Sequence, residues 1–176
     1  MQSDAGASCE WDIGTGLHFG EQNLNMCKVC ADDRSCDAAS YTDNGDGTVK
    51  SSCCGLVWQQ VVDVAGGDGS GRGMGLYTLA GAKAYCAGLT LAGGGWRLPT
   101  IEELYSLVVL GQMPKQPVIN RTVFPATPPD NTWSSSPVAA SMLLPGAVDY
   151  VWIADFYDGT TTTQQPEALD NVRCVR

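Results

Sequence analysis

The 176-residue chain carries 19 acidic against 10 basic residues, a formal net charge of −9, and is 44% hydrophobic with 16% charged residues and 21 glycines. That hydrophobic share excludes a disordered chain, and the length allows one sizeable core plus a small appendage. An acidic surface repels polyanions, which argues against nucleic acid and anionic membrane surfaces as partners, and no apolar run approaches the ~20 residues of a membrane span.

In chain order, residues 1–40 come first as a Cys-rich extension. Cysteines stand at 9, 27, 30 and 36 here, and at 53, 54, 86 and 174 beyond it. An even count in a glycine-rich chain with one histidine favours disulfides, and so an oxidising compartment. The opening "MQSDAGASCEWD" lacks the basic start and apolar stretch of a signal peptide, so the chain reads as a mature secreted segment. "CKVC" could serve zinc, but that needs reduced thiols, and His18 is not spaced as a ligand. It also lacks the helix-opening context of a redox motif.

From residue 41 the pattern becomes regular. "YTDNGDGTVK" holds Asn-Gly and Asp-Gly and predicts a hairpin. "GLVWQQVV" predicts a buried strand, and "VAGGDGSGRGMG" a loop without the ending of a phosphate loop. "TLAGAKAYCAGL" predicts a helix capped by Thr78, with Leu79, Ala82, Cys86 and Leu89 on its apolar face. After "GGGWRLP", Thr100 and Glu103 form a capping box, and the second helix is expected to run through "IEELYSLVVL" to Gly111. Trp96 and Leu98 should pack inward, and Asp155 is the expected partner of Arg97. "KQPVINRTVFPATPPDN" reads as proline-broken loop. "TWSSS", "YVWIADF", "TTTT" and "NVRCVR" read as strands, with a turn at Asp158-Gly159. Grouped helices and late strands make an α+β pattern.

The blocks "YTDNGDGTVKSSCCGLVWQQ", "AYCAGLTLAGGGWRLPTIEEL", "FPAT…TWSSS", "WIADFYDG" and "VRCVR", in this order over residues 41–176, resemble the DUF1566 family, that of the C-terminal domain of the Legionella collagen-like adhesin. The resemblance implies a C-type-lectin-like fold, with two helices packed on a small twisted antiparallel sheet and the N- and C-terminal strands adjacent. It implies a disulfide from the first helix to the last strand, Cys86 to Cys174. The vicinal pair Cys53-Cys54 departs from the family pattern; one of them could tie down the extension, or take Cys86 instead. Members of the family are commonly secreted or surface-exposed binding modules, and the adhesin engages sulfated polysaccharides through basic patches, a ligand class that the strong acidity of this chain disfavours.

Candidate sites follow from residue chemistry. Asp43, Asn44 and Asp46 are oxygen donors of the kind calcium prefers, although a hairpin turn is the favoured account of them and no EF-hand pattern is present. Gln165-Pro166-Glu167 is similar to the calcium- and sugar-holding triplets of C-type lectins, but stands too late in the chain. Nucleophilic or acid–base catalysis lacks a base beside a nucleophile, and a fold-related oxidase chemistry would need free thiols, so no enzyme is expected. Binding remains, through Trp133, Tyr157, Asp158, Gln164 and Gln165 in the C-terminal half, where aromatics and amides suit sugar rings or protein surfaces. Trp152 is read as readily into the core. The expected role is a secreted or surface adhesin-like module for a glycan or protein, without a required cofactor. The alternative is a structural subunit of an extracellular assembly that self-associates.

Overall fold

The computed structural model describes residues 41–52, 55–64, 66–67, 75–109, 116–139 and 149–176. The N-terminal cysteines and the Cys53-Cys54 pair lie outside the described residues. The chain opens with β1 (Tyr41–Asp43), β2 (Thr48–Ser51) and β3 (Val57–Gln59), an antiparallel three-stranded sheet in sequence order. The predicted hairpin joins the first two. Gly45 and Gly47 take φ of 74° and 83°, the left-handed backbone that Asn-Gly and Asp-Gly supply without strain.

Helix α1 (Leu79–Gly88) starts at Thr78, whose hydroxyl accepts from Gly81 N. It buries Leu79, Ala82 and Cys86, while Leu89 is partly buried beyond its end. A single 3-10 turn (Leu91–Gly93) then leads into four residues, Ala92 to Gly95, that all have positive φ. The run is fastened from the far end of the chain. Arg176 Nη1 donates to the carbonyls of Ala92 and Gly94 at 2.8 and 2.9 Å, and its guanidinium lies 4.9 Å from the centre of the Trp96 ring.

Helix α2 (Ile101–Tyr105) has the predicted capping box, with Thr100 Oγ1 accepting from Glu103 N and Glu103 accepting from Thr100 N. It does not run on to Gly111. The Ser106 hydroxyl donates to Glu103 O, Leu107 and Val108 bond three residues back, and Val109 N donates to Val118 O. Val108 is then paired with Ile119 in an antiparallel bridge. β-branched residues with a strand-like partner are lost to the helix. Arg97 does not meet Asp155 either. It forms a two-pronged pair with Glu103, with both N···O distances 2.7 Å, because the capping-box geometry already turns that carboxylate back toward Arg97.

β4 (Asn131–Pro137), β5 (Val151–Asp155) and β6 (Thr161–Gln164) make a second antiparallel sheet. The expected single sheet is therefore two. Within β5, Val151 and Ile153 face one core cluster with Trp133 and Cys86, while Ala154 and the following Phe156 face a second with Trp58 and Leu104. The serines of β4 serve α2: Ser136 Oγ accepts from Ile101 N, and Ser135 donates twice to Pro99 O.

The two sheets meet on the last seven residues. Asp170 exchanges backbone bonds with Tyr77, Asn171 is paired with Thr132, and Val175 is paired with both Trp58 and Arg97. Val172 and Cys174 enter the first cluster and Val175 the second. The Cys86–Cys174 disulfide is formed, across a separation of 88 residues. Closing a loop of that length stabilises by about 4 to 5 kcal/mol in the chain-entropy account.

Two carboxylates on this frame titrate in opposite directions. Burial alone would raise the Glu103 pKa, but the bonds from Arg97 and Thr100 outweigh it and hold Glu103 below its ordinary 4.5. Its contribution is thus present above pH 4.5 and lost as pH falls. Arg97 is half exposed, which screens the pair. Glu103→Gln, which keeps the cap, should cost about 0.5–1 kcal/mol at pH 7 and progressively less as pH falls below 4.5, whereas Glu103→Ala should cost about 1–2 kcal/mol at pH 7, both read by urea melts. Asp170 is 5% exposed and its Oδ2 has no partner. Burial, with the nearby Asp130 and Asp155 charges, pushes it from 3.8 to about 6, against a partial offset from Asn131 and Gln164. A raised pKa stabilises fully below pH 3.8 and loses that contribution as pH rises through about 6. Asp170→Asn should therefore leave stability near pH 4 little changed and raise it by about 1–2 kcal/mol at pH 7.5 in thermal melts.

Candidate functional site

The residues expected to bind do not form one site. Trp133 is fully buried, with its indole N–H donating to Tyr77 O at 2.6 Å, so it cannot face a ligand. The correction has a physical cause: both faces of its sheet are covered, and alternation cannot tell a ligand face from a second core face. Trp152 is half-buried on β5 opposite Thr163. Gln164 and Gln165 stand at one end of the β5–β6 hairpin, where Gln165 Nε2 donates to the Tyr150 hydroxyl at 3.1 Å. Tyr157 and Asp158 stand in the turn at the other end.

That turn is internally braced. Asp155 Oδ1 accepts from Tyr157 N at 2.7 Å, and Asp158 Oδ1 accepts from the amide and hydroxyl of Thr160 at 2.9 and 2.7 Å. These Thr160 bonds hold the Asp158 carboxyl below the usual aspartate range. The Tyr157 ring is 50% exposed on this support. An aromatic ring presented by a fixed backbone loses little freedom when it is covered.

The proposed calcium donors are engaged otherwise. Asp43 accepts from Gly45 N and from Gln60 Nε2, Asp46 accepts from Thr48 twice, and Asn44 donates to Thr48 Oγ1. These are the bonds of a turn. Among the described residues no group of three or more His, Cys, Asp or Glu is arranged to hold a metal ion.

Beside the Tyr157 turn lies a feature the sequence concealed. Phe156 O, one residue before Tyr157, accepts from Val118 N at 2.9 Å, which fixes the turn against the segment 116–130. That segment has no regular strand or helix but is locally tied. Asn120 Oδ1 accepts from Thr122 N and Val123 N, and Asn120 O accepts from Phe124 N. The segment carries an open concavity of about 410 Å³, lined by Pro117, Arg121, Thr122, Phe124, Pro125 and Thr127. Ala126 completes the lining with a φ of 56°, a conformation that non-glycine residues rarely hold.

Arg173 lies directly behind this cleft and is fully buried. Its Nη1 donates to the carbonyls of Gln59 and Gln60, its Nη2 donates to Thr127 Oγ1 at 2.7 Å, and its guanidinium rests 4.8 Å from the centre of the Phe124 ring. Nε has no partner, and the ion pair Arg97–Glu103 is the sole salt bridge among the described residues. Burial pulls its pKa down to about 9, so it stays cationic at neutral pH. Two cleft walls, Phe124 and Thr127, are therefore the same groups that hold a buried cation. The loop reading of 116–130 was correct but carried no sign of a cleft. The signal available was Arg173 itself, a charge set between Val172 and Cys174 where neighbours are apolar.

Among the described residues no helix is long and apolar enough to cross a membrane. No curated protein and no solved structure gives a significant match to the chain. The family model described as the Lcl C-terminal domain matches residues 47–176. The chain thus belongs to the Lcl C-terminal domain family, among bacterial surface-associated, adhesin-like proteins.

Proposed function

We propose that the domain is a non-catalytic, extracellular ligand-binding module that recognises a glycan or protein at the end of the molecule where the Tyr157 turn meets segment 116–130. The observation that carries this reading is the half-exposed Tyr157 ring on a turn braced by Asp155 and Asp158 and joined through Phe156 to Val118 in segment 116–130. Exposed aromatics on rigid supports are the groups that anchor interfaces and stack on sugar rings. The scaffold is read as C-type-lectin-like, of the DUF1566 type. The disulfide from α1 to the last strand and the pairing of β3 with the chain's final residues support that reading. The net charge of −9 favours ligands other than long polyanions.

A glycan array and a panel of immobilised matrix proteins, each probed with and without calcium, test this. At least one defined ligand should bind, and Tyr157→Ala should weaken it by tenfold or more while Gln165→Ala, at the opposite end of the hairpin, leaves it within twofold. Flat binding on both panels, or equal losses in the two variants, would count against the assignment.

A further inference from the structure

We infer that Asn120 is an acceptor for N-linked glycosylation, the side chain to which a transferase attaches a sugar through Nδ2. The inference goes beyond the binding reading above and does not rest on the Tyr157 face.

Asn120-Arg121-Thr122 has the Asn-x-Thr form of a glycosylation acceptor, without proline in the middle. None of the chain's other five asparagines has Ser or Thr two residues on. Three residues recur by chance, so what carries the inference is how these three are held. They stand in segment 116–130, which has no regular strand or helix, and Arg121 and Thr122 are exposed. Asn120 Oδ1 accepts from Thr122 N and from Val123 N, at 3.2 Å each, and Asn120 O accepts from Phe124 N at 2.8 Å. All three bonds use oxygen. Nδ2 makes no hydrogen bond with any described residue and is not among the buried polar atoms left without a partner, so it faces water. The other described asparagines have their side-chain amides engaged. Asn44 Nδ2 donates to Thr48 Oγ1, Asn171 Nδ2 donates to Asn131 O, and the Asn131 side chain bonds to Asp170. The exposed Thr122 hydroxyl likewise bonds to no described residue, which leaves it open to a transferase.

The division of roles within one amide makes the site compatible with the modification. Attachment of a sugar replaces one hydrogen on Nδ2 and leaves Oδ1 a carbonyl oxygen. Both bonds that close the Asn120 turn therefore survive it. The substrate class is a sugar activated by a diphosphate leaving group. Nδ2 attacks the anomeric carbon, and the C–N bond forms as the C–O bond to the diphosphate breaks. The diphosphate leaves with the bonding electron pair, and Nδ2 gives up one proton to a base of the transferase.

Two experiments on the full chain test this. Peptide mapping of the chain from the bacterium that makes it, with electron-transfer fragmentation, should place carbohydrate on Asn120. A single hexose would mark a nucleoside-diphosphate donor and a multi-sugar block a lipid-diphosphate donor; either upholds the acceptor, and a sugar-free Asn120 overturns it. Unmodified, folded chain incubated with a soluble asparagine glycosyltransferase and a nucleoside-diphosphate glucose should gain one hexose, at Asn120. Asn120→Asp, which keeps the turn's acceptor oxygens, and Thr122→Ala, which keeps its N–H, should each lose that transfer at least tenfold with unchanged melting temperatures, while Thr122→Ser keeps it. Transfer to a different asparagine, or undiminished transfer in Thr122→Ala, would overturn the assignment. Modified chain should melt no lower than unmodified chain, and a lower melting temperature would overturn the claim that the turn accommodates the sugar. Failure of the binding reading is separable, because the arrays read Tyr157 on sugar-free chain.

Discussion

Everything described in this domain hangs on one extended segment, residues 170–176, which is buried along nearly its whole length. Its side chains alternate between two cores, as a strand's must, with Val172 and Cys174 in one and Val175 in the other. Its backbone bonds in turn to Tyr77, Asn131 and Trp133, Arg97 and β3. Each three-stranded sheet has an apolar face that must be covered to leave water. The segment supplies that cover to both. The disulfide to α1 adds a covalent tie at the residue where the first core is deepest.

Arg173 shows what that arrangement demands. Alternation sends it to the same side as Val175, into a region with no water to solvate a charge. The protein answers with carbonyl oxygens from the end of β3, a threonine and the face of a phenyl ring. Such partners hold a guanidinium in place but do not neutralise it. The irregular segment 116–130 is thereby tied to the rigid frame, since Thr127 and Phe124 belong to it. A loop with little regular hydrogen bonding is in this way given a fixed base, and its outward side is free to serve binding. Loops positioned on a rigid scaffold are where binding surfaces are most often built.

Local features were legible in the sequence because their causes are local. Thr78, Thr100 and Glu103 act within three or four residues of themselves, and the Asn-Gly and Asp-Gly steps fix a turn unaided. The length of α2 was not legible. Leu104 and Leu107 keep helical spacing, but Val108 and Val109 are claimed by Ile119 and Val118, partners well beyond the reach of a helical turn. Trp133 fails for a related reason: period-two alternation reports that a strand has two faces, not that both are covered. Arg97 was given a distant partner when a carboxylate six residues on was already turned toward it. The cleft had no sequence signature, because its walls come from residues that are each unremarkable in a proline-broken stretch.

The same distinction bears on how the two ends of the molecule divide their work. Gln164 and Gln165 were grouped with Tyr157 and Asp158 because they flank the same strand, yet a hairpin puts the residues flanking one strand at opposite ends. At the Tyr157 end, the carboxylates of Asp155 and Asp158 accept from the turn's own N–H groups, which fixes the backbone beneath the exposed ring. At the Gln165 end the hairpin meets side chains instead, with Gln165 Nε2 donating to the Tyr150 hydroxyl. A ring on a fixed backbone loses less freedom on binding than an amide at the end of a rotatable side chain, so one hairpin offers a rigid face at one end and an adaptable one at the other.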